Sequence, residues 1–397
     1  MERLGGILEG IRVLDFGRYI AGPYCATLLA EFGADVIRVE RRSGSEDRYV
    51  TPVGEDGAGA LFLQVNRNKK SVTLDPMKPE GQEVLKKLVA TADVVVANLP
   101  KQTLEAMKLD YDSLCAIKPD IILTTANAFG DAGPWSDRVG FDGVGQVMSG
   151  AVYMTGDGDP PFRAAVNYVD FGTALHCAFG TLAALMERQK SGKGQIVQGA
   201  LLATALSFAN ATLIEQAVIS VNRIPTGNRG QTTAPSDIYR AKDGWLLCQV
   251  TGQPLFNRWA KLMGEDHWLT DPRFSDDLKR GEAGPEISAR MGRWCAERSV
   301  QEAVDTLGAA QIPAAPVLSP QQALDHPHVQ AGGFMQPLDY PGLANPAPVS
   351  RVALKLSRTP GEIRHRAPVL GEHTDEVLGS LGYDAEAIAA LREKGVV

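Results

Sequence analysis

Ile11-Arg-Val-Leu-Asp15, then Phe16-Gly-Arg-Tyr-Ile-Ala-Gly22, then Pro23 to Phe32, Gly33 and Ala34-Asp-Val-Ile-Arg-Val-Glu40, is the stretch that decides the fold. Ile11–Asp15 is an apolar run of strand length, and Gly17–Gly22 reads as a loop. Pro23 suits the first position of a helix and Gly33 its end, so Pro23–Phe32 is expected to be helical. Ala34–Glu40 is the next strand. The same succession returns at Ser71–Leu74, at Pro79–Ala90 (helix), at Asp93–Ala97 and at Asp120–Ala126. Such β-α-β alternation predicts an α/β fold with a doubly wound, mostly parallel sheet. Ligands of these sheets bind beyond the carboxyl ends of the strands, so Phe16–Gly22, Glu40–Arg42, Asn98–Pro100 and Asn127–Gly130 are the candidate site loops.

The chain has 397 residues, 44% of them hydrophobic and 22% charged, the composition of a globular protein with room for more than one domain. Its net charge of −7 argues against a nucleic-acid partner. The five cysteines are scattered and form no C-x-x-C pair, which predicts neither a disulfide framework nor a zinc site, and no histidine pair has metal-ligand spacing. Met1-Glu-Arg-Leu-Gly-Gly6 lacks the basic then apolar pattern of a secretory leader, and no apolar run reads as long enough to span a bilayer. A cytoplasmic protein without a membrane partner is expected.

Composition changes near Asn222. Asp237–Arg240 and Trp245–Val250 look like strands joined at Lys242-Asp243-Gly244, and Pro254–Met263 and Pro285–Gly308 like helices. Residues 226–320 therefore read as a smaller α+β domain, and 1–225 as a large α/β domain completed by a return segment, 321–397. Ten of the chain's 24 prolines lie between Gln311 and Pro368, so that stretch is expected to wrap irregularly. Glu372–Lys394 should end the chain as helix. The helix Thr173–Arg188 and the stretch Gln195–Asn210 are rich in small residues and read as core or subunit interface.

Glu40 ends the second strand where an acidic residue would hold a ribose. The preceding turn, however, lacks G-x-G-x-x-G, which argues against a dinucleotide. P-loop, G-x-S-x-G and H-E-x-x-H motifs are absent too. Two basic clusters, Arg38 with Arg41 and Arg42, and Asn66-Arg-Asn-Lys-Lys70, suit an anionic ligand such as a nucleotide phosphate, or else a solvated charge run. Cys25, early in the first helix, is either activated by the helix dipole or a packed small hydrophobe. Asp170, in Arg163-Ala-Ala-Val-Asn-Tyr-Val-Asp-Phe-Gly172, stands just ahead of the helix Thr173–Arg188. There it is expected to be kept ionised by the helix N-terminus, as an N-cap or as a nucleophile.

Leu14-Asp-Phe with Ala21-Gly-Pro23, Phe32-Gly-Ala-Asp-Val-Ile-Arg-Val-Glu-Arg41, Asn68-Lys-Lys-Ser71, Asp170 ahead of Gly180-Thr-Leu-Ala-Ala-Leu185, and Ser191-Gly-Lys-Gly-Gln195 together resemble the family III CoA-transferases. The resemblance spans essentially the whole chain. It implies an interlocked homodimer, and acyl-CoA and a carboxylic acid as small-molecule substrates, with no permanently bound cofactor or metal. Asp170 is the matching nucleophile, forming an aspartyl-CoA thioester. The positions matching the CoA site are Ile20, Ala21, Arg41, Leu74, Asp75, Met77, Asn98, Leu99, Pro100, Val139, Phe141 and Asp142. Those matching the acid-binding loop are Gly252 and Gln253. Succinyl-CoA or another short acyl-CoA is the donor expected, and a small carboxylic or dicarboxylic acid the acceptor. Arg163 is either an acceptor ligand or a surface arginine. Ile20 replaces the glutamine frequent in the family. Thr251-Gly252-Gln253 stands where oxalate-type members carry a glycine run, which argues against formyl-CoA and oxalate.

The competing readings are a 2-methylacyl-CoA racemase and a non-catalytic CoA-binding protein of the same fold. The racemases resemble the chain around Val139 to Gly150 but carry histidine where Phe141 stands. Phenylalanine cannot move an α-proton, so the transferase is favoured.

Overall fold

The structure, a computed structural model, describes residues 6–54 and 58–397. Strands β1 (Arg12–Asp15), β2 (Asp35–Glu40), β3 (Lys69–Thr73), β4 (Val94–Ala97), β5 (Ile122–Asn127) and β6 (Ile196–Ala200) form one sheet in the order β3-β2-β1-β4-β5-β6. Every neighbouring pair is parallel, so the expected α/β class holds. Alternate residues of each strand serve opposite faces. Val13, Val36, Val94 and Ile122 pack with Cys25, Leu29, Ala174 and Leu185 on one side. Leu14, Ile37, Val72, Val95 and Leu123 pack with Val84, Leu85 and Leu88 on the other. Burial of both faces is why these strands read as continuous apolar runs rather than alternating ones. The strand order reverses between β1 and β4, which opens a crevice beyond their carboxyl ends.

The flanking helices include Ala21–Glu31, Pro79–Ala90 and Tyr168–Ser191. The last starts five residues earlier than the sequence suggested, so Asp170 lies inside its first turn and not ahead of it. The stretch Gln195–Asn210, read as core or subunit interface, holds β6 and the start of a helix, Leu201–Ile219. Gly199 on β6 makes room for Cys177: a Cβ there would lie 2.5 Å from the Cys177 sulfur, which would have to shift.

The expectation that no run has bilayer-spanning length is corrected. Tyr168–Ser191 (24 residues) and Leu201–Ile219 (19 residues) are both long and apolar enough by length and composition. The first packs 56% of its apolar window into the protein, but the second only 11%.

Two compact units divide the chain. The first comprises residues up to Ser149, Ala164–Ala211 and Gln330–Val397; the second comprises Gly150–Arg163 and Thr212–Val329. In the second unit, β7 (Ser236–Arg240), β8 (Trp245–Gln249) and β9 (Ala314–Pro316) make an antiparallel sheet. Phe256, Trp259, Trp268, Phe274, Ile287 and Met291 fill its core. The helix expected over Pro285–Gly308 is two helices, Gly284–Ala296 and Val300–Ala309. Ser299 caps the second and Glu302 completes a capping box, which restarts the helix.

The proline-rich stretch is less irregular than expected. It carries β9, two short helices and, within the first unit, a hairpin of β10 (Met335–Leu338) and β11 (Ala347–Ser350). Asn68, at φ +61°, then ties Glu362, Arg364 and His365 to the sheet through three hydrogen bonds of 2.7–2.9 Å. The terminal helix is also two, Thr374–Ser380 and Ala385–Glu393, the second capped by Asp384.

Candidate active site

The loop leaving β1 is held in place by a buried ionic network. Lys69 Nζ donates to Asp15 Oδ2 (2.7 Å), to the Pro23 carbonyl (2.7 Å), to Asn66 Oδ1 (2.9 Å) and to the Val65 carbonyl (3.0 Å). Arg38 reaches Asp47 (2.8 Å) and Glu40 (3.3 Å), and Arg48 also holds Glu40. All these side chains are buried. Burial pushes the Asp15 carboxyl up, but Lys69 and Arg38 more than offset this and hold it below its ordinary range. Burial likewise lowers the Lys69 ammonium to about 8 against the pull of Asp15.

From this base the loop is braced twice more. Asp47 Oδ2 accepts from the Tyr19 N–H (3.3 Å), with Tyr19 in the left-handed region at φ +59°. Asn98, at the end of β4, accepts from the Arg18 N–H (2.7 Å) and donates to the Arg18 carbonyl (2.9 Å). Tyr19 in turn meets Phe141 edge-to-face at 5.3 Å. The loops after β1, β4 and β5 are thus joined at the carboxyl edge of the sheet.

Next to Phe141, Asp142 is buried and fully engaged. Its Oδ2 accepts from the backbone N–H of Val169 (2.8 Å) and of Asp170 (3.1 Å), and its Oδ1 accepts from Gln146. Asp142 is therefore the residue that caps the helix Tyr168–Ser191. Asp170, the third residue of that helix, caps nothing: its carboxylate accepts no hydrogen bond among the described residues. The expectation that Asp170 stands ahead of the helix as its cap is corrected: it lies within the first turn, and Asp142 caps. Burial, and then the charge of Asp142, push its carboxyl up to about 7.

A reaction that uses Asp170 as an anion is expected to lose kcat/KM about tenfold per pH unit below 7 and to level off above it. Asp142→Asn keeps an oxygen for the two N–H groups while removing the charge. It should move that midpoint to lower pH in a kcat/KM profile, and an unmoved midpoint would exclude the coupling.

The residues expected at the site separate into two groups. The side chains of Ile20, Ala21, Leu74 and Asp142 are buried in the chain itself and offer a ligand no more than their backbone. Asn98 has both ends of its amide engaged by Arg18, and Asp75 Oδ1 accepts from the Met77 N–H (3.0 Å). Arg41, Met77, Pro100, Val139 and Phe141 are exposed, and Leu99 is half-buried. Arg41 donates to the Gly44 carbonyl and pairs with Glu46, an exposed pair worth little by itself.

The two basic clusters are corrected in part, since Arg41 and Arg42 remain exposed. Arg38, Arg67 and Lys69 are buried against Asp47, Glu31 and Asp15, and Lys70 pairs with Asp35 and Glu376. Glu40, engaged by Arg38 and Arg48, is unavailable to a ribose. Cys25 is fully buried, with its thiol raised well above the ordinary value by burial, and is a packing residue. In the second unit the Gly252 N–H and the Gln253 side chain are both bonded within the chain.

The family model described as CoA-transferase family III matches residues 8–374. The chain belongs to this family. A succinyl-CoA–D-citramalate CoA-transferase of Chloroflexus aurantiacus is 33% identical over 98% of both chains. A formyl-CoA:oxalate CoA-transferase of Bradyrhizobium diazoefficiens is 32% identical over 98% of this chain and 97% of its own. A crystal structure of a CAIB/BAIF family protein from Brucella suis superposes with a TM-score of 0.83 at 27% identity, over 95% of this chain and 100% of that one. The protein is thus a transferase of family III, whose reactions use CoA thioesters as substrates.

Sequence reasoning missed the roles of Tyr19, Asp47, Arg48 and Lys69, and the capping role of Asp142. Asp142 caps a helix that begins 26 positions later, and no local pattern signals such a pairing.

Proposed function

We propose that this family III enzyme moves CoA from a short acyl-CoA, succinyl-CoA being the donor of choice, to a carboxylic acid through Asp170. The observation that carries this reading is Asp170, a largely buried residue whose carboxylate accepts no hydrogen bond among the described residues, in a helix start that the Asp142 cap holds beside the joined loops. Asp170 attacks the thioester carbonyl and expels CoA as its thiolate, leaving a mixed anhydride. The thiolate attacks the aspartyl carbonyl, the first acid leaves as carboxylate, and an aspartyl-CoA thioester remains. The acceptor carboxylate then attacks that thioester, and returning CoA takes the new acyl group and frees Asp170. Dividing one exchange into four such displacements is covalent catalysis, and none of them needs a general base.

Acyl-CoA is here a substrate, lying over the loops after β1, β2, β4 and β5, with the Arg41 guanidinium exchanging Glu46 for a CoA phosphate. Phe141, packed edge-to-face on Tyr19, supplies an apolar ring and no proton carrier where a racemase needs a base, which favours transfer over α-proton exchange. Thr251-Gly252-Gln253 is assigned to the acid. Self-association as a homodimer is supported by the apolar face left open on Leu201–Ile219, with Phe208, Ile214 and Val218 exposed, and by Phe179 and Met186 on the preceding helix.

Incubation with acyl-CoAs from acetyl- to glutaryl-CoA, quenching with hydroxylamine and peptide mass analysis is expected to place the modification on Asp170 alone. An unmodified Asp170 with every donor, together with α-proton exchange in a 2-methylacyl-CoA, would sink the transferase mechanism in favour of racemisation.

A further inference from the structure

Arg280 is among the largest fully buried side chains in the protein, and it sits under the loop Thr251-Gly252-Gln253. Its Nη1 donates to Gln253 Oε1 and to the Phe274 carbonyl, both at 2.8 Å, and its Nη2 donates to Asp277. The guanidinium lies over the Phe256 ring at 4.7 Å, and its Nε is buried without a partner among the described residues. Asp277 passes the hold on: its two carboxylate oxygens accept from the Gly252 N–H at 3.0 and 2.9 Å. Gly252 is at φ +83°, ψ 155°, a conformation essentially closed to residues with a side chain. The far end of the Gln253 amide donates to Asn257 (2.8 Å). Among the described residues the Thr251 hydroxyl has no partner and is exposed, so it is the polar side chain of the loop left for a ligand.

Burying a guanidinium costs several kcal/mol, and a hydrophobic side chain fills such a volume more stably. What the charge supplies here is shape: one cation fixes the loop's side chain directly and its backbone through a carboxylate. We propose that Arg280, with Asp277, is a positioning residue for selection of the acid substrate, and that Gln253 is the tether on which it acts rather than a ligand of the acid. The proposal rests on the assignment of loop 251–253 to the acid. Free acid has only its own few contacts, whereas acyl-CoA is also held by its long CoA portion. Loosening the loop should therefore fall mainly on the KM of the acid.

The test is isotope exchange between an acyl-CoA, from acetyl- to glutaryl-CoA, and its own 13C-labelled acid, which needs no knowledge of the natural acceptor. Arg280→Lys and Gln253→Met are expected to raise the KM of the acid roughly tenfold, the loss of one or two hydrogen bonds, with a much smaller change in the KM of the acyl-CoA. Gln253→Met leaves the buried charge in place, so it remains decisive should the Arg280 variant fail to fold. Gln253→Glu keeps an acceptor for Arg280 and is expected to recover most of the loss. Were Gln253 a ligand of the acid, the added carboxylate would repel it, and a KM above that of Gln253→Met would overturn the tether.

Gly252→Ala separates the proposal from the loop assignment. If it raises the KM of the acid while Arg280→Lys and Gln253→Met do not, the loop assignment stands and the proposal fails. If none of the three moves it, or the wild-type enzyme exchanges no pair, both fail.

Discussion

Asp170→Asn is expected to lower CoA transfer by at least about a thousandfold while making the protein more stable above pH 7. The first effect is removal of the nucleophile. The second follows from burial and Asp142, which push the Asp170 carboxyl up to about 7 from an ordinary 3.8. Between those two values the folded chain holds a proton that the unfolded chain releases, so stability falls as pH rises from about 4 to about 7 and stays lowered above. An asparagine carries no such penalty. At pH 8 the variant should gain on the order of 2–4 kcal/mol, and near pH 4 nothing. Denaturant unfolding at both pH values, beside the transfer assay, reads the two effects in one variant. Loss of transfer with no gain at pH 8 would mean that Asp170 is not held at a raised pKa.

Lys69→Met carries the second large effect, on the scaffold. It would leave Asp15 buried with Arg38, at 3.7 Å, as the remaining cation, and would take one donor from each of the Pro23, Val65 and Asn66 oxygens, the last two keeping Thr27 and Arg38. Breaking a buried pair from one side costs about 3–5 kcal/mol. The denaturant midpoint should fall accordingly, with an unchanged slope if unfolding stays cooperative. Combining it with Asp15→Asn removes the stranded charge, keeps an acceptor for the Gly17 N–H and should recover much of the loss. A single variant as stable as the wild type would show that Lys69 does not hold the loop after β1.

How far the fold could be read in advance differs by element, for local reasons. The helix Pro79–Ala90 starts and ends where the sequence placed it, because Pro79 marks the start and a polar turn the end. β1, β2 and β4 were found within a residue, as runs buried on both faces. β6 was missed because Ile196–Ala200 is short and its glycine is set by the approach of Cys177 across the sheet, a contact no window of sequence contains. The restart at Ser299 was legible in Ser299-Val-Gln-Glu302 and was outweighed by the apolar period on either side.

The site divides in the same way. Asp170 stands out in the sequence as a carboxylate in an apolar helix-start segment, and the match over residues 8–374 bears out the family that its surroundings suggested. Its electrostatics could not be read there. Arg38, Arg67 and Lys69 look like free cations in a string of letters, but each is neutralised by an acid 9 to 54 positions away. The Asp142 side chain is taken up by a cap, which its sequence neighbours do not announce.

The sequence by itself determined the parallel α/β sheet, the family and the identity of the candidate nucleophile, because these are written in local periodicity and in short motifs. Only the tertiary structure decided which charges are available to a ligand, which carboxylate caps the Asp170 helix, and that Asp170 is pushed toward its protonated form. Those properties depend on burial and on distances between residues far apart in the chain, and charges respond steeply to both.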